Sequence, residues 1–405
     1  MKAIKCGKLI DGQGGTPLEN AVVLIDVDKV KAVGSEKDVA IPPEAQMIDL
    51  SDKTVLPGMI DCHVHTYGNG DPAPELKNLK ELIPYKALKA VAYAKLDLDA
   101  GFTTLRDVGA SGFSDIAAKK AIDNGLHVGP RMQVSGPILS ITGGHGDSQL
   151  APHVEVDPEL RAVVNSPDEA RKAARKHLKH GADLIKMAAT GGVLSEGTEP
   201  GAQQLSYEEM KAAIDEAKKL GKRTAAHAQG TQGIKEAVRA GISSIEHGCF
   251  LDDEAIEMML ENGTYLVPTL CAPYYIAEHG IEGGIPEYGV RKTKQVMESH
   301  GQSFKDAYKA GVKIAMGTDA ATPFNYHGKN AFELQLMVEA GMKTMDAILS
   351  TTKNAAELMG LEDKVGTLEP GKWADIIAVD GNPVEDIKVL QEVKFVMKGG
   401  ELIKG

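Results

Sequence analysis

The chain is poor in cysteine and has no long apolar run. Its 4 cysteines, Cys6, Cys62, Cys249 and Cys271, are scattered without C-x-x-C spacing, so we expect free thiols in a reducing compartment. No apolar stretch approaches the roughly 20 residues needed to cross a bilayer, and the first residues lack the apolar core of a signal peptide. We therefore expect a cytoplasmic protein without a membrane partner.

Basic residues are also in deficit. The chain carries 45 Lys and Arg against 57 Asp and Glu, and no local basic cluster offsets this balance. We therefore expect no nucleic-acid partner, because binding to a phosphate backbone needs a basic surface. Neither G-x-G-x-x-G nor G-x-x-x-x-G-K-[ST] occurs, so no phosphate-binding loop is indicated. The length of 405 residues suits a catalytic domain joined to a smaller one.

One pattern recurs along the chain. A helix-like segment ends at a glycine, which suits the left-handed position that terminates a helix; a short apolar strand follows, and a polar residue stands where the strand stops. The pattern predicts strands after Gly101, Gly181, Gly221, Gly241, Gly263 and Gly311, and the runs 54–65 and 130–136 bring the number to eight. Eight β/α units predict a TIM barrel over residues 57–359, with an open doubly wound sheet as the alternative.

The two ends of the chain differ from its middle. Residues 1–56 and 360–405 hold short β-rich runs with turn residues between them, and each end is too small to bury a core alone. We expect the two ends to pair into one discontinuous β-sandwich domain beside the barrel. Residues 270–290, which are rich in Gly, Pro and Tyr, are predicted to form an active-site loop.

Barrel enzymes place their chemistry at the carboxyl ends of the strands, and here those ends carry metal-ligand residue types. His63 and His65 are spaced i, i+2 on one predicted strand, so both imidazoles face the same side. Other predicted strands end in Lys186, His227, His247 and Asp319. Taken singly, each has a structural explanation, such as helix capping by Asp319. Together, several histidines and a carboxylate at one mouth favour Zn²⁺ or a similar divalent ion.

Lys186 does not fit as a simple ligand, because an ammonium cannot bind a metal and a buried cation needs a partner. One interpretation is a salt bridge. The other is a carbamate, formed when the amine adds CO₂, whose two oxygens bridge two cations. The residue type alone leaves both interpretations open.

Several motifs resemble the amidohydrolase superfamily, and the resemblance runs the full length of the chain. The motifs are PGMIDCHVHT, LIKMAATGG, TAAHAQG, SIEHG and GTDA, while GKLIDGQGG and GTLEPGKWADIIAVDGNP are similar to its composite β-domain. The runs GPILSITGGHGD and HGADLIKMAATGG are similar to its Xaa-Pro dipeptidase (prolidase) and carboxypeptidase-like branch. That branch hydrolyses dipeptides and N-acyl amino acids, and related enzymes cleave ochratoxin-type amides.

The resemblance implies two divalent ions, with Zn²⁺ as the expected metal. The residues that hold them are His63, His65, Lys186, His227, His247 and Asp319. The H-x-H pair binds the more buried ion, which Asp319 also contacts. A carbamate on Lys186 bridges both ions, and the remaining two histidines hold the second ion.

The resemblance also implies a mechanism of amide hydrolysis. The two ions make a shared water available as hydroxide, which attacks the carbonyl of a small-molecule amide or dipeptide. Asp319 takes the proton and passes it to the leaving amine. His145, in the run GGHGD, polarises the scissile carbonyl.

The substrate pocket is less well determined by the sequence. Some dipeptidases of the branch carry a Tyr shortly after the histidine of the TAAHAQG motif, where this chain has Gln229, which either donates its amide or faces solvent. Gly230 stands where mononuclear deaminases of the superfamily carry Glu, which argues against deamination. Arg106, Tyr274 and Tyr275 are candidates for contacting substrate.

Two other functions remain as alternatives. A cyclic-amide or imidazolone hydrolase would use the same metal site with a different pocket. A catalytically silent interaction protein on this fold is the other, and the retention of all six metal-ligand positions argues against it. We also expect the chain to form a homo-oligomer.

Overall fold

The molecule alternates short strands with helices over most of its length, and the computed structural model describes residues 1–151 and 153–405. In chain order the strands are β1 (Lys2–Leu9), β2 (Leu18–Asp26), β3 (Lys29–Ser35), β4 (Gln46–Pro57), β5 (Met59–Val64), β6 (Phe102–Asp107), β7 (Arg131–Val134), β8 (Leu139–Ser140), β9 (Ala162–Val163), β10 (Leu184–Ala188), β11 (Arg223–Ala228), β12 (Ser244–His247), β13 (Tyr265–Val267), β14 (Ile376–Val379), β15 (Phe395–Lys398) and β16 (Glu401–Lys404). The helices are α1 (Pro74–Lys80), α2 (Ile83–Asp99), α3 (Ser114–Asp123), α4 (Pro167–His180), α5 (Tyr207–Lys219), α6 (Thr231–Ala240), α7 (Asp253–Asn262), α8 (Cys271–His279), α9 (Glu287–Ala310), α10 (Phe332–Glu339), α11 (Thr344–Ser350) and α12 (Lys353–Met359).

The two ends of the chain share one sheet. Its seven strands run in the order β16-β15-β14-β4-β1-β2-β3. The ends meet where β14 pairs antiparallel with β4, with Ile377 opposite Leu56. Buried side chains from both ends, including Ile4, Val23 and Phe395, form one apolar cluster on this sheet. This cluster therefore depends on both ends of the chain.

The middle of the chain builds two parallel sheets, one of six strands in the order β13-β12-β11-β10-β8-β9 and one in the order β5-β6-β7. Parallel pairing of successive strands brings their carboxyl ends to one edge. The helices that connect these strands bury one face each. In α6, for example, Ile234, Ala237 and Val238 are buried at the i, i+3, i+4 spacing of a helix.

The helix boundaries follow the signals in the sequence. Ser206 and Glu209 form a capping box at the start of α5, and the Ser166 side chain accepts the Glu169 N–H at the start of α4. Gly181 ends α4 at φ 105°, a backbone conformation that other residues rarely adopt. The prediction that a glycine ends this helix is therefore confirmed.

The predicted eighth strand, after Gly311, forms only in part. Within the described residues, this segment makes two isolated parallel bridges, Leu266 with Ile314 and Val64 with Ala320, and so it lies between β13 and β5. The backbone turns at Asp319, where φ is 59°, which ends regular strand geometry. Gly317 permits the close approach to β5, because a Cβ there would lie 2.8 Å from that of His63.

The prediction of a loop over residues 270–290 is wrong for most of that stretch, which forms α8 and the start of α9. Pro273 lies in the first turn of α8, where a missing N–H costs no intrahelical bond. The buried Glu333 carboxylate accepts the N–H groups of Leu270 and Cys271, each at 2.8 Å, and so takes the place of a capping side chain.

Two further predictions concern the cysteines and the lack of a membrane-spanning segment. The predicted free cysteines are confirmed, since all four are unbonded and buried. Among the described helices, none combines the length and the apolar character that a bilayer crossing demands.

Candidate metal centre

A cavity of about 640 Å³ opens where the parallel strands end. The polar side chains that line it include those of His63, His65, His145, Lys186, His227, Gln229, His247 and Asp319. These residues come from segments far apart in the sequence. The fold therefore brings all six predicted metal ligands to one cavity.

The tightest group is formed by His63, His65 and Asp319, whose candidate ligand atoms all lie within 4.8 Å of one another. The Asp319 Oδ1 lies 3.4 Å from the Nε2 of His63 and 3.1 Å from the Nε2 of His65. Burial disfavours the ionised carboxylate, yet the two imidazoles hold the pKa of Asp319 well below its usual range. The group therefore offers an anionic oxygen beside two imidazole nitrogens, which are ligand types that Zn²⁺ prefers.

Hydrogen bonds set the orientation of the first two imidazoles. The Nδ1 of His63 donates to the Glu246 carboxylate at 2.8 Å, and the Nδ1 of His65 donates to the Gly109 carbonyl at 2.8 Å. When neutral, each ring therefore carries its lone pair on Nε2, the nitrogen that faces Asp319. This is the tautomer that a divalent cation requires.

His247 is oriented in the same way. The Thr269 hydroxyl donates to the Pro268 carbonyl at 2.7 Å, so its oxygen accepts the Nδ1–H of His247 at 2.6 Å. The Nε2 lone pair of His247 is thus free for a ligand. Its ring centroid lies 5.1 Å from that of His63 and 4.6 Å from that of His227.

His227 differs from the other three histidines, because its Nδ1, and not its Nε2, is available to a metal ion. Its Nε2 donates to the Gly191 carbonyl at 3.1 Å, which leaves the lone pair on Nδ1. The His145 ring stacks on it with centroids 3.9 Å apart. Gly192 permits this stacking, since a Cβ there would come within 2.4 Å of the His145 ring. Burial lowers the pKa of His227 well below its usual range, so the imidazole is neutral and able to bind a cation.

Lys186 is 1% exposed and lines the same cavity. In residues 1–151 and 153–405, no carboxylate oxygen lies within 4.0 Å of its Nζ, so the salt-bridge interpretation finds no partner there. Burial lowers the pKa of its ammonium to about 8. The fraction of unprotonated, nucleophilic amine at neutral pH is therefore much larger than for an exposed lysine.

Arg106 lies behind the site and not in the cavity, which corrects the prediction that it contacts substrate. It is 1% exposed, and its guanidinium donates to the Cys62 carbonyl at 2.6 Å, to the Ser244 hydroxyl at 3.0 Å and to Glu246 at 2.8 Å. Each of its three nitrogens thus donates to a group inside the protein. Burial opposes ionisation of Glu246, but the Arg106 charge and His63 hold its pKa far below the usual range.

The sequence prediction missed Glu246. The signal was present, because the residue stands inside the apolar run ISSIEH, and a carboxylate in a buried strand needs a charged or hydrogen-bonding partner. Its partners, Arg106 and His63, are too distant in the sequence for a local pattern to reveal them.

The two predicted tyrosine contacts are also corrected. Tyr275 lies on α8 and lines a separate small cleft, where its ring packs 5.6 Å from that of Phe332. Tyr274 packs on the same ring at 5.1 Å. Both rings pack against Phe332 of α10, and neither lines the cavity of the metal centre.

Gln229 does line the main cavity. It is 4% exposed, so the alternative in which it faces solvent is wrong. Its Oε1 has no hydrogen-bond partner within the described residues. A buried amide oxygen without a partner is costly unless a ligand or water meets it.

Backbone strain collects at the site. His247, Thr269 and Asp319 have φ values of 74°, 53° and 59°, in the left-handed region that non-glycine residues rarely adopt. Such strain costs of order 1–3 kcal/mol per residue and persists where the surroundings enforce it, which is typical of functional sites.

The buried charge pair predicts the effect of one substitution. Arg106→Met should lower the free energy of unfolding by about 3–5 kcal/mol, because it leaves Glu246 buried without its cation. Urea denaturation followed by circular dichroism measures this change. The matched control is Arg291→Met, which removes an exposed pair with Glu199 and should cost under about 1 kcal/mol. Equal losses in the two variants would contradict the importance of the buried pair.

Comparison with known proteins places this site in a family. Residues 54–403 match the Amidohydrolase family. Over 426 aligned residues the chain is 36% identical to an ochratoxinase of Aspergillus niger, covering 99% of this chain and 86% of that protein. A crystal structure of a Xaa-Pro dipeptidase with bound methionine in the active site superposes with a TM-score of 0.93 at 40% identity, over 100% of both chains. A prolidase complexed with N-methylphosphonate-L-proline gives 0.91 at 33% identity, over 100% of this chain and 99% of that one. The resemblance seen in the motifs is thus confirmed, and the chain belongs to the amidohydrolase family.

Proposed function

We propose that the chain is a binuclear metal-dependent hydrolase that cleaves the amide bond of dipeptides or N-acyl amino acids, ochratoxin-like amides among them. One observation carries the proposal: four neutral or carboxylate-paired imidazoles, an ionised carboxylate and a buried amine line a single cavity. The similarity to an ochratoxinase and to a Xaa-Pro dipeptidase supports the amide and dipeptide class of substrate.

The two inner sheets are inferred to close into a (β/α)₈ barrel over residues 57–359. The bridges made by Ile314 and Ala320 join β13 to β5 on one side. On the other side, the Asp183 N–H donates to the Val134 carbonyl at 2.8 Å, which links β7 to the start of β10. The seven-stranded sheet is inferred to be the core of the small β-domain, formed by residues 1–56 and 360–405.

The donor set fits two divalent cations, with Zn²⁺ the best match to imidazole and carboxylate ligands. His63, His65 and Asp319 would hold one ion, and His227 and His247 the other. When bound, the ions would lower the pKa of water and polarise the substrate carbonyl.

Lys186 is proposed to be converted to a carbamate, which would supply a further anionic ligand for the ions. The neutral Nζ forms a bond to the carbon of CO₂ and releases a proton, so that a cation is replaced by a carboxylate-like anion. The lowered pKa of Lys186, about 8, favours this reaction because only the unprotonated amine is nucleophilic. Negative charge also suits a buried position beside cations better than an unpaired ammonium does.

Asp319 and His145 are proposed to move and hold protons. Asp319 is ionised at neutral pH and can accept a proton and return it to the leaving amine. Burial lowers the pKa of His145 to about 4, so its ring is neutral. Its Nδ1 lies 3.0 Å from the Ser195 hydroxyl, which helps to hold the ring, and we propose that the tautomer with its hydrogen on Nε2 donates to a substrate carbonyl oxygen. Gln229, with its unpaired amide oxygen, is available to the substrate beside them.

Metal content tests the binuclear site directly. Protein purified without chelator is expected to contain about two divalent ions per chain, because the cavity supplies enough ligands for both. Elemental analysis by mass spectrometry measures this ratio. A value below about one ion per chain after incubation with Zn²⁺ and bicarbonate would refute the proposal.

Lys186→Ala tests the carbamate. This substitution should abolish turnover, and short-chain carboxylic acids should partly restore it, because a small carboxylate can occupy the vacated space. Lys186→Met is the matched control, since its side chain fills that space and should prevent rescue. Turnover is measured on the best amide found in a panel of dipeptides, N-acyl amino acids and cyclic amides. Near-normal turnover of Lys186→Ala would mean that the carbamate is not needed.

His145→Asn tests the role of the stacked imidazole. The substitution should lower kcat and kcat/KM together by about 10²–10³-fold, because it removes a donor that acts in the transition state. His127→Asn, at an exposed position outside the cavity, should leave both constants unchanged. An unchanged kcat in His145→Asn would assign His145 a purely structural role.

A further inference from the structure

One cationic side chain of the cavity wall has no counter-ion. Arg161 lines the same cavity as the metal centre. Its Nε donates to the Ser148 hydroxyl at 2.9 Å and its Nη1 to the Leu160 carbonyl at 3.4 Å. In the part of the chain that the structure describes, its Nη2 has no acceptor and no carboxylate oxygen lies within 4.0 Å of the guanidinium. Three of the five N–H groups, two of them on Nη2, therefore remain available to a ligand.

Apart from Lys186 at the metal centre, the other lysines and the acidic groups on this side of the cavity make contacts within the protein. Lys77 contacts Asp71 at 2.6 Å, and Lys89 contacts Glu81. The carboxylates of Glu75 and Asp147 each accept a hydrogen bond from a backbone N–H group. Arg161 thus differs from its neighbours, and its free charge calls for an anion from outside the protein.

Arg161 is tied to the metal centre through a short segment of backbone. The His65 ring donates to the Gly109 carbonyl at 2.8 Å, and two residues later the Ser111 hydroxyl donates to the Leu160 carbonyl at 3.3 Å. The Arg161 Nη1 donates to the same Leu160 carbonyl, so the guanidinium lies beside the segment that orients a metal ligand.

Two further groups favour an anion at this point. Tyr67 lines the cavity two residues after His65, and among the described residues its hydroxyl has no hydrogen-bond partner. Lys86, 1% exposed, donates to the Ser111 hydroxyl at 3.2 Å and adds a second buried cation below the cavity wall. Both groups lie within electrostatic range of the Arg161 charge, so this part of the wall combines positive charge with a phenol O–H.

We propose that Arg161, assisted by the Tyr67 hydroxyl, binds the carboxylate of the substrate next to the scissile amide. The proposal rests on the proposed hydrolysis of dipeptides or N-acyl amino acids and names the residue that selects the free acid. A planar guanidinium presents parallel N–H donors that match the two oxygens of a carboxylate, which an ammonium does not. The role that the sequence suggested for Arg106 thus passes to Arg161.

The experiment compares N-acetyl-L-methionine with its C-terminal amide, since the two differ only in the carboxylate and a relative holds methionine in its active site. Arg161→Met should lower kcat/KM for the free acid by about 10²-fold, mainly through KM, and change that for the amide by less than about threefold. Arg161→Lys should give a kcat/KM for the free acid between those of wild type and Arg161→Met, because it keeps the positive charge and loses the parallel N–H donors. Tyr67→Phe should cost about tenfold for the free acid alone.

Controls separate this role from a structural one. Arg171→Met, on the exposed face of α4, should leave both substrates unaffected. Circular dichroism and metal content of the Arg161 variants should match wild type, because Arg161 contacts no metal-ligand side chain. Equal losses for acid and amide in Arg161→Met, or equal turnover of acid and amide by wild type, would overturn the carboxylate site while leaving amide hydrolysis intact.

Calorimetry distinguishes failure of the site from failure of the proposed function. If wild type cleaves neither compound, titration of N-acetyl-L-methionine into wild type and Arg161→Met still measures carboxylate binding. Affinity for the acid that falls about 10²-fold in the variant supports the site even though the hydrolase function fails. Equal affinity in the two proteins, or no binding to wild type, overturns it.

Discussion

The metal centre depends on the hydrogen bonds made by the buried carboxylate of Glu246. Glu246 lies on β12. Its carboxylate accepts a hydrogen bond from the Arg106 guanidinium on β6 and another from the His63 ring on β5, which it orients. A carboxylate in such a position costs several kcal/mol unless it is fully paired, so the three side chains hold one another in place. Because β12 belongs to one inner sheet and β5 and β6 to the other, the same contact joins the two sheets beneath the cavity.

A second network holds the opposite side of the site. The Asp61 carboxylate accepts the His63 N–H at 2.9 Å, the Thr318 hydroxyl at 2.7 Å and the Asn330 amide at 2.8 Å. These bonds hold the segment before Asp319 against β5 and so maintain the left-handed backbone at that residue. Strain at one ligand is therefore offset by hydrogen bonds to a buried carboxylate that touches no ligand atom itself.

The cavity combines two chemically distinct walls. One wall carries neutral imidazoles, the Asp319 carboxylate and the Lys186 amine, a set suited to cations and to the carbonyl of an amide. The other carries Arg161 beside the Tyr67 hydroxyl, a set suited to an anion. Similarity to an ochratoxinase and to a Xaa-Pro dipeptidase concerns the whole fold, whereas the proposed selection of a free carboxylate rests on side chains of the second wall.

The sequence alone determined the strand and helix pattern, the caps and the positions of the candidate metal ligands, because these depend on residues close together in the chain. Ser206 with Glu209, and His63 with His65, are such local patterns. Only the tertiary structure decided that Arg106 points inward while Arg161 faces the cavity, that α8 turns Tyr275 toward α10, and that residues 312–320 make bridges instead of a full strand. Arg106 and Glu246 are 140 positions apart, and which buried charges meet at that separation is decided by packing between sheets, which no local pattern records.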